Sequence, residues 1–140
     1  MRAADDRARA KSGYDRVLLR DGMPSFSEAE IRRRQAALRT VMDEHHVVTA
    51  ILYGAGRFNA DVQYLCNWPG GREASLLLPL DRRPILLVQL YNHVPLAERL
   101  SREVETRWGG PDSVATVASC LRELSADRTR IGLIGALPLS

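Results

Sequence analysis

The residues of this chain best suited to chemistry gather in two stretches. Asn59, Tyr64, Asn67, Trp68 and Arg72 form one, and Tyr91-Asn92-His93 the other. Amides, rings and a guanidinium of this kind suit ligand binding, and both stretches adjoin expected strand ends, where α/β sheets carry their binding residues. The competing reading is that Tyr64 and Trp68 simply cover a sheet edge. Both readings remain open at this stage.

The other candidates carry less. His45-His46 is the one histidine pair, but neighbours on a helix point about 100° apart and make a poor chelate. The pair reads instead as a helix C-terminus, where partly protonated imidazoles suit the dipole. His93 stands at a strand-to-helix junction without a Cys or carboxylate cluster to complete a metal set. Cys66 is expected in a turn and Cys120 inside a helix. Neither has the context of a known nucleophile, so both read as buried, inert thiols. Gly54-x-Gly56 follows a strand like a dinucleotide-binding loop, but position 59, where the third glycine belongs, is Asn. No Gly-x-Ser-x-Gly elbow occurs. Arg32-Arg33-Arg34 reads as a solvated helix face, and the basic patch with interleaved aromatics that nucleic acid would need is missing. No catalytic residue, metal ligand or cofactor site is therefore expected in this chain.

The elements that must position these residues fit one domain. The chain has 140 residues, 45% hydrophobic and 26% charged, the balance of a soluble globular protein rather than a collagenous, disordered or membrane one. No apolar run approaches the ~20 residues of a membrane span. The N-terminus lacks the apolar stretch of a secretory signal. Two cysteines are too few for a disulfide scaffold and fit free thiols in a reducing cytoplasm. Residues 1–40 carry ten Arg/Lys against six Asp/Glu, whereas residues 41–140 carry ten against eleven, so the basic excess belongs to the N-terminal segment.

Residues 1–25 read as an arm or tail, in which Tyr14, Val17, Leu18 and Leu19 could pack on the body or on a partner subunit. Ser27 and Glu30 have capping-box spacing, with Phe26 and Ile31 at staple positions. Ile31, Leu38, Val41, Met42 and His45 then recur at helical spacing to about residue 44. Strands are expected at 48–53, 74–78, 85–89, 104–108 and 131–134, with 74–89 an antiparallel hairpin. A short helix or turn is expected at 59–65 and a short helix at 94–102. A further helix, capped by Asp112, carries Val114, Val117, Ala118, Leu121 and Leu124. The order predicts an α/β fold: a three-layer α/β/α sandwich on a mixed, mostly parallel sheet of about five strands with one antiparallel hairpin, a ribonuclease H-like motif. Ser140 would cap a helix that does not follow, so the chain is expected to be a fragment or separated domain of a longer protein.

The run Phe26-Ser27-Glu28-Ala29-Glu30-Ile31-Arg32-Arg33-Arg34 through Leu38 and Met42 resembles the opening helix of the creatinase/prolidase-type N-terminal domain. The strand at 48–53, the hairpin at 74–89 and Arg130-Ile131-Gly132-Leu133 fit the same pattern. The segment Asn59-Ala60-Asp61-Val62-Gln63-Tyr64-Leu65-Cys66-Asn67 is similar to that family's Tyr-Leu-Thr-Gly stretch. The resemblance covers roughly residues 24–138, with two departures: His46 stands where a helix-ending Gly is usual, and Cys66-Asn67 replace Thr-Gly. It implies that residues 26–140 form a non-catalytic domain preceding a pita-bread catalytic domain, as in aminopeptidase P, Xaa-Pro dipeptidase and creatinase. Two divalent metal ions would sit in that second domain, on two Asp, one His and two Glu that this chain does not contain. The implied partners are that catalytic domain, a peptide or small-molecule substrate and a second copy in a dimer, in the cytoplasm, with neither nucleic acid nor membrane. The residues implied to gate substrate are Tyr64, Trp68, Arg72, Tyr91 and His93. Two other readings stand beside this one: a binding-only protein-interaction module, and a free-standing small-molecule-binding domain.

Overall fold

The computed structural model describes residues 25–135. The expected arm therefore lies outside the described residues apart from Ser25, as do residues 136–140. Helix α1 spans Glu28–Glu44. The Ser27 hydroxyl accepts from the Glu30 amide at 3.1 Å, as the capping spacing predicts. The reciprocal half of the box does not form. Glu30 spends its carboxylate on Arg33, through two bonds of 2.8 Å, and on Arg34 Nε at 2.8 Å. Phe26 packs on a charged partner. Its ring lies 3.8 Å from the Arg34 guanidinium carbon, with Tyr64 on the other side at 4.2 Å. The Arg32-Arg33-Arg34 run is thus only partly a solvated face: Arg34 is 8% exposed, and its Nη1 donates to the Tyr64 carbonyl at 3.1 Å.

The remaining elements are β1 (Thr49–Gly54), α2 (Ala60–Cys66), β2 (Ala74–Pro79), β3 (Ile85–Val88), a 3-10 turn at Tyr91–His93 leading into α3 (Val94–Leu100), β4 (Glu105–Trp108), α4 (Ser113–Glu123) and β5 (Ile131–Gly135). Strand order across the sheet is β4-β3-β2-β1-β5. β2 is antiparallel to both neighbours, while β1 pairs with β5, and β3 with β4, in parallel. Four strands therefore share one direction and β2 alone runs against them, which gives the expected mixed sheet and its hairpin.

Every residue of β2 and β3 is buried, so each of these strands needs cover on both faces. On one face Leu52, Leu76, Leu78, Leu86 and Val88 pack with Met42, Val62, Leu65, Ala97 and Leu100 of the helices α1, α2 and α3. On the other, Leu77, Ile85 and Leu87 meet Val117, Cys120, Leu121 and Leu124 of α4. This is the three-layer arrangement, with its second helical layer a single helix among the described residues. That cover thins toward β5, where Leu133 is 61% exposed.

Two corrections concern α2 and its end. Cys66 belongs to the helix rather than to a turn, and its thiol donates to the Val62 carbonyl at 3.2 Å. Asn67 then ends the helix in the left-handed region at φ 67°, a conformation Asn tolerates better than most residues. Its side chain joins three segments: Oδ1 accepts from the Phe26 amide at 3.4 Å and Nδ2 donates to the Leu100 carbonyl at 3.1 Å.

The two guanidiniums hold the Glu30 carboxyl at about 2, well below its ordinary 4.5. A carboxyl depressed by folding stabilises the fold at neutral pH, and this contribution fades as pH falls toward and through about 2. Thermal melts in that acid window are expected to show a steeper loss for the native chain than for Glu30→Gln. Parallel pH profiles for the two would refute the assignment.

Candidate functional site

The carboxyl ends of β1, β3, β4 and β5 share one edge of the sheet with the start of β2. The loop after β1 is set by Asn59. This side chain is buried, and its Nδ2 donates to the Trp68 carbonyl at 2.8 Å. It lies between two glycines: a Cβ on Gly54 would collide with Asn59 Oδ1, and one on Gly70 would sit 2.7 Å from Asn59 Cγ. Gly70 also has φ +84°, so a side chain there is excluded twice over. Asn59 Oδ1 has no hydrogen-bond partner among the described residues. The place where a dinucleotide loop would present a third glycine is thus filled by a side chain locked between two backbone segments.

Four of the five expected gating residues belong to this edge, in two different roles. Trp68 is a core residue, 2% exposed, so its indole cannot stack on a ligand. It lies instead against His93, ring centroids 6.2 Å apart and tilted by 58°, and holds that imidazole half-buried at the end of the 3-10 turn. Tyr91, at the start of the turn, is 72% exposed. Its ring meets Trp108 edge-on, 5.5 Å between centroids at 84°, a favoured aromatic geometry. Trp108 is itself half-exposed and tied by Nε1 to the Gln89 carbonyl at 3.0 Å. Arg72 is exposed at the start of β2. The Ala74↔Val88 register and the bond from the Gln89 amide to the Glu73 carbonyl, 3.1 Å, bring its backbone beside the segment leading to Tyr91. Tyr64 belongs elsewhere. It is drawn into the stack with Arg34 and Phe26 between α1 and α2.

The sequence reading missed Trp108, taking it only as a strand residue. Its position just before Gly109-Gly110-Pro111, at the carboxyl end of a parallel strand, was the available signal. It also missed Tyr53 and Glu73. The Tyr53 hydroxyl donates to Glu73 Oε2 at 3.0 Å. Burial, and secondarily Glu73, push its phenol above the ordinary value, so it stays protonated at neutral pH.

Rings at Tyr91 and Trp108 offer apolar faces, and Arg72 offers a carboxylate fork. Among the described residues no group of three or more His, Cys, Asp or Glu could hold a metal ion. Burial pushes the Cys66 thiol up to about 12. Burial also raises Cys120, against the pull of Arg107. Neither is a thiolate at neutral pH.

No protein-family model and no curated protein matches this sequence. Solved structures do match its fold. A dipeptidase PepE from Mycobacterium ulcerans superposes with a TM-score of 0.65 at 18% identity, over 82% of this chain and 31% of that one. An Xaa-Pro aminopeptidase from Streptococcus pyogenes gives 0.62 at 16% identity, over 76% and 75%. The N-terminal creatinase/prolidase-like domain of a Corynebacterium diphtheriae protein gives 0.53 at 12% identity, over 79% of this chain and 98% of that domain. The described fold is therefore that of the creatinase/prolidase N-terminal domain, as the sequence resemblance implied. The chain spans about a third of the length of the M. ulcerans dipeptidase it matches. Among the described residues no helix is long and apolar enough to cross a membrane.

In the folded chain at pH 8, a disulfide reagent is expected to leave both cysteines unmodified over the time in which the denatured chain is fully labelled. Rapid labelling of native Cys66 would show that its burial is misjudged.

Proposed function

We propose that this chain is the non-catalytic N-terminal domain of a metal-dependent Xaa-Pro peptidase or creatinase-like hydrolase. The observation that carries this reading is the superposition on an isolated N-terminal domain covered over 98% of its length, together with whole peptidases of which this chain spans a third or less, such as 31% and 30%. The catalytic partner is a pita-bread domain, and the two divalent metal ions and the activated water belong to it. The setting proposed is cytoplasmic.

The domain's own part is to shape access. A dimetal cleft must admit a short substrate and exclude water and larger chains, and a second domain over its mouth does both. Tyr91 is the exposed ring of the carboxyl edge and Arg72 the exposed guanidinium beside it. His93, backed by Trp68, fixes the turn that presents Tyr91. Trp108 joins the set as the ring on which Tyr91 rests. Trp68 supports this edge through the fold rather than by contact with substrate, and Tyr64 lies away from it in the Arg34 stack. The thin cover over β5, with Leu133 exposed, suits contact with a second copy in a dimer.

The test is kinetic and uses the two-domain protein. Tyr91→Ala and Arg72→Gln are each expected to lower kcat/KM for Xaa-Pro peptides about tenfold, the effect of losing one well-placed ring or charged contact. The loss should differ between dipeptides and longer peptides. Unchanged kcat/KM at every length would refute the gating role. A parent lacking the five metal ligands would instead make the chain a binding module. The 140-residue chain, supplied with divalent metal, should release no proline from any Xaa-Pro peptide.

A further inference from the structure

The opposite edge of the sheet carries a different chemistry. The turn from β2 to β3 folds against α1 and borders an open cleft of about 660 Å³, within the range of small-molecule sites, lined by Arg32, Arg39, Asp81, Arg82, Arg83 and Glu103 among others. Four guanidiniums face two carboxylates there, a net charge of +2.

Two of the cleft's cations are held by carbonyl oxygens, as Arg102 and Arg130 are outside it, but here they converge on one cleft. Elsewhere in the described fold, Arg33, Arg34 and Arg107 each sit on a carboxylate. Arg39 does not. Its Nε donates to the Pro79 carbonyl at 2.9 Å and its Nη2 to the Arg82 carbonyl at 2.8 Å. Arg83 donates from Nη2 to the Val104 carbonyl at 3.1 Å. Neither forms an ion pair among the described residues. Carbonyl oxygens fix a guanidinium without cancelling its charge, and a guanidinium has five N–H donors. Arg39 uses two of its five in these bonds and Arg83 one. Arg39 is also partly desolvated, which lowers its pKa and reduces the screening of its field. Arg32 is committed to Glu103 at 2.9 Å, and Arg82 adds a smaller pull to that of Arg107 in lowering the Glu123 carboxyl. Asp81 offsets Arg39 in part, and the charge left without an ion pair centres on Arg39 and Arg83.

We infer that this cleft binds a compact, multiply charged oxyanion whose phosphate or carboxylate oxygens are gripped by Arg39 and Arg83. Guanidiniums already fixed by the backbone lose little further freedom on binding, so their charge-assisted bonds go mostly to affinity. The site stands apart from the proposed gating edge, at the far end of the sheet.

The 140-residue chain can be titrated by calorimetry with two probes, inorganic pyrophosphate and citrate, at low and moderate salt. Saturable binding of one molecule, weakening with salt, is expected for at least one probe. Pyrophosphate alone would assign the site to phosphoryl oxygens, citrate alone to carboxylates, and both to oxyanions in general. Arg39→Gln and Arg83→Gln should each weaken binding about tenfold or more, the scale of one charged hydrogen bond. Asp81→Asn should tighten it by removing an opposing charge. Arg83→Gln, which gives up a single bond from an exposed residue, keeps the test valid if Arg39→Gln fails to fold. Arg122→Gln, the same charge change on α4, should bind as the native chain does. The inference is overturned if neither probe saturates, or if Arg122→Gln weakens binding as much as Arg83→Gln.

Discussion

The fold depends on one constraint: two adjacent strands, β2 and β3, are buried along their whole length. Leu76, Leu77 and Leu78 are consecutive and fully buried, yet successive side chains on a strand point to opposite faces. Both faces must therefore be dry. One is covered by α1, α2 and α3, and the other by α4. Fully burying each leucine is worth roughly 1.5–3 kcal/mol, so a helix lost from either side would expose more than the hairpin could absorb. Placing β2 and β3 inside the sheet also leaves β4 and β5 as its outermost strands.

The joints between layers explain the two departures from the resembled family. His46 has φ 56° and Asn67 has φ 67°, so both occupy the left-handed conformation that Gly adopts without strain. Asn67 adds bonds that a glycine lacks, joining the residue before α1 to the ends of α2 and α3. The backbone requirement is thus kept at both sites while the side chain is free to differ. The Phe26–Arg34–Tyr64 stack works beside this joint, with Glu30 neutralising a guanidinium that would otherwise be buried unpaired.

The two edges of the sheet are chemically unlike. At the carboxyl edge, Asn59 is packed between Gly54 and Gly70 in the loop after β1, and the rings of Tyr91 and Trp108 meet edge-on. At the other edge, backbone carbonyls hold Arg39 and Arg83 without neutralising them.

Local physics was legible in the sequence. The Ser27 and Asp112 caps, the helical spacing from Ile31 to Met42, and the apolar runs of β2, β3 and β5 all have the periods and end signals their conformations require. Those signals report backbone dihedrals and which face seeks cover. They do not report which distant group provides it. Trp68 beside Pro69-Gly70-Gly71 looks the same whether its ring covers an edge or enters the core. Only the closing of α2 and α3 over it decided for the core. Arg34 sits in a run of three arginines and became buried because Phe26, Glu30 and Tyr64 converge on it. Trp108 became a surface ring because β4 ends beside the turn that carries Tyr91. Partners brought together over tens of residues are set by how layers pack, so the elements were written locally, whereas the side-chain clusters at both ends of the strands exist only in the tertiary structure.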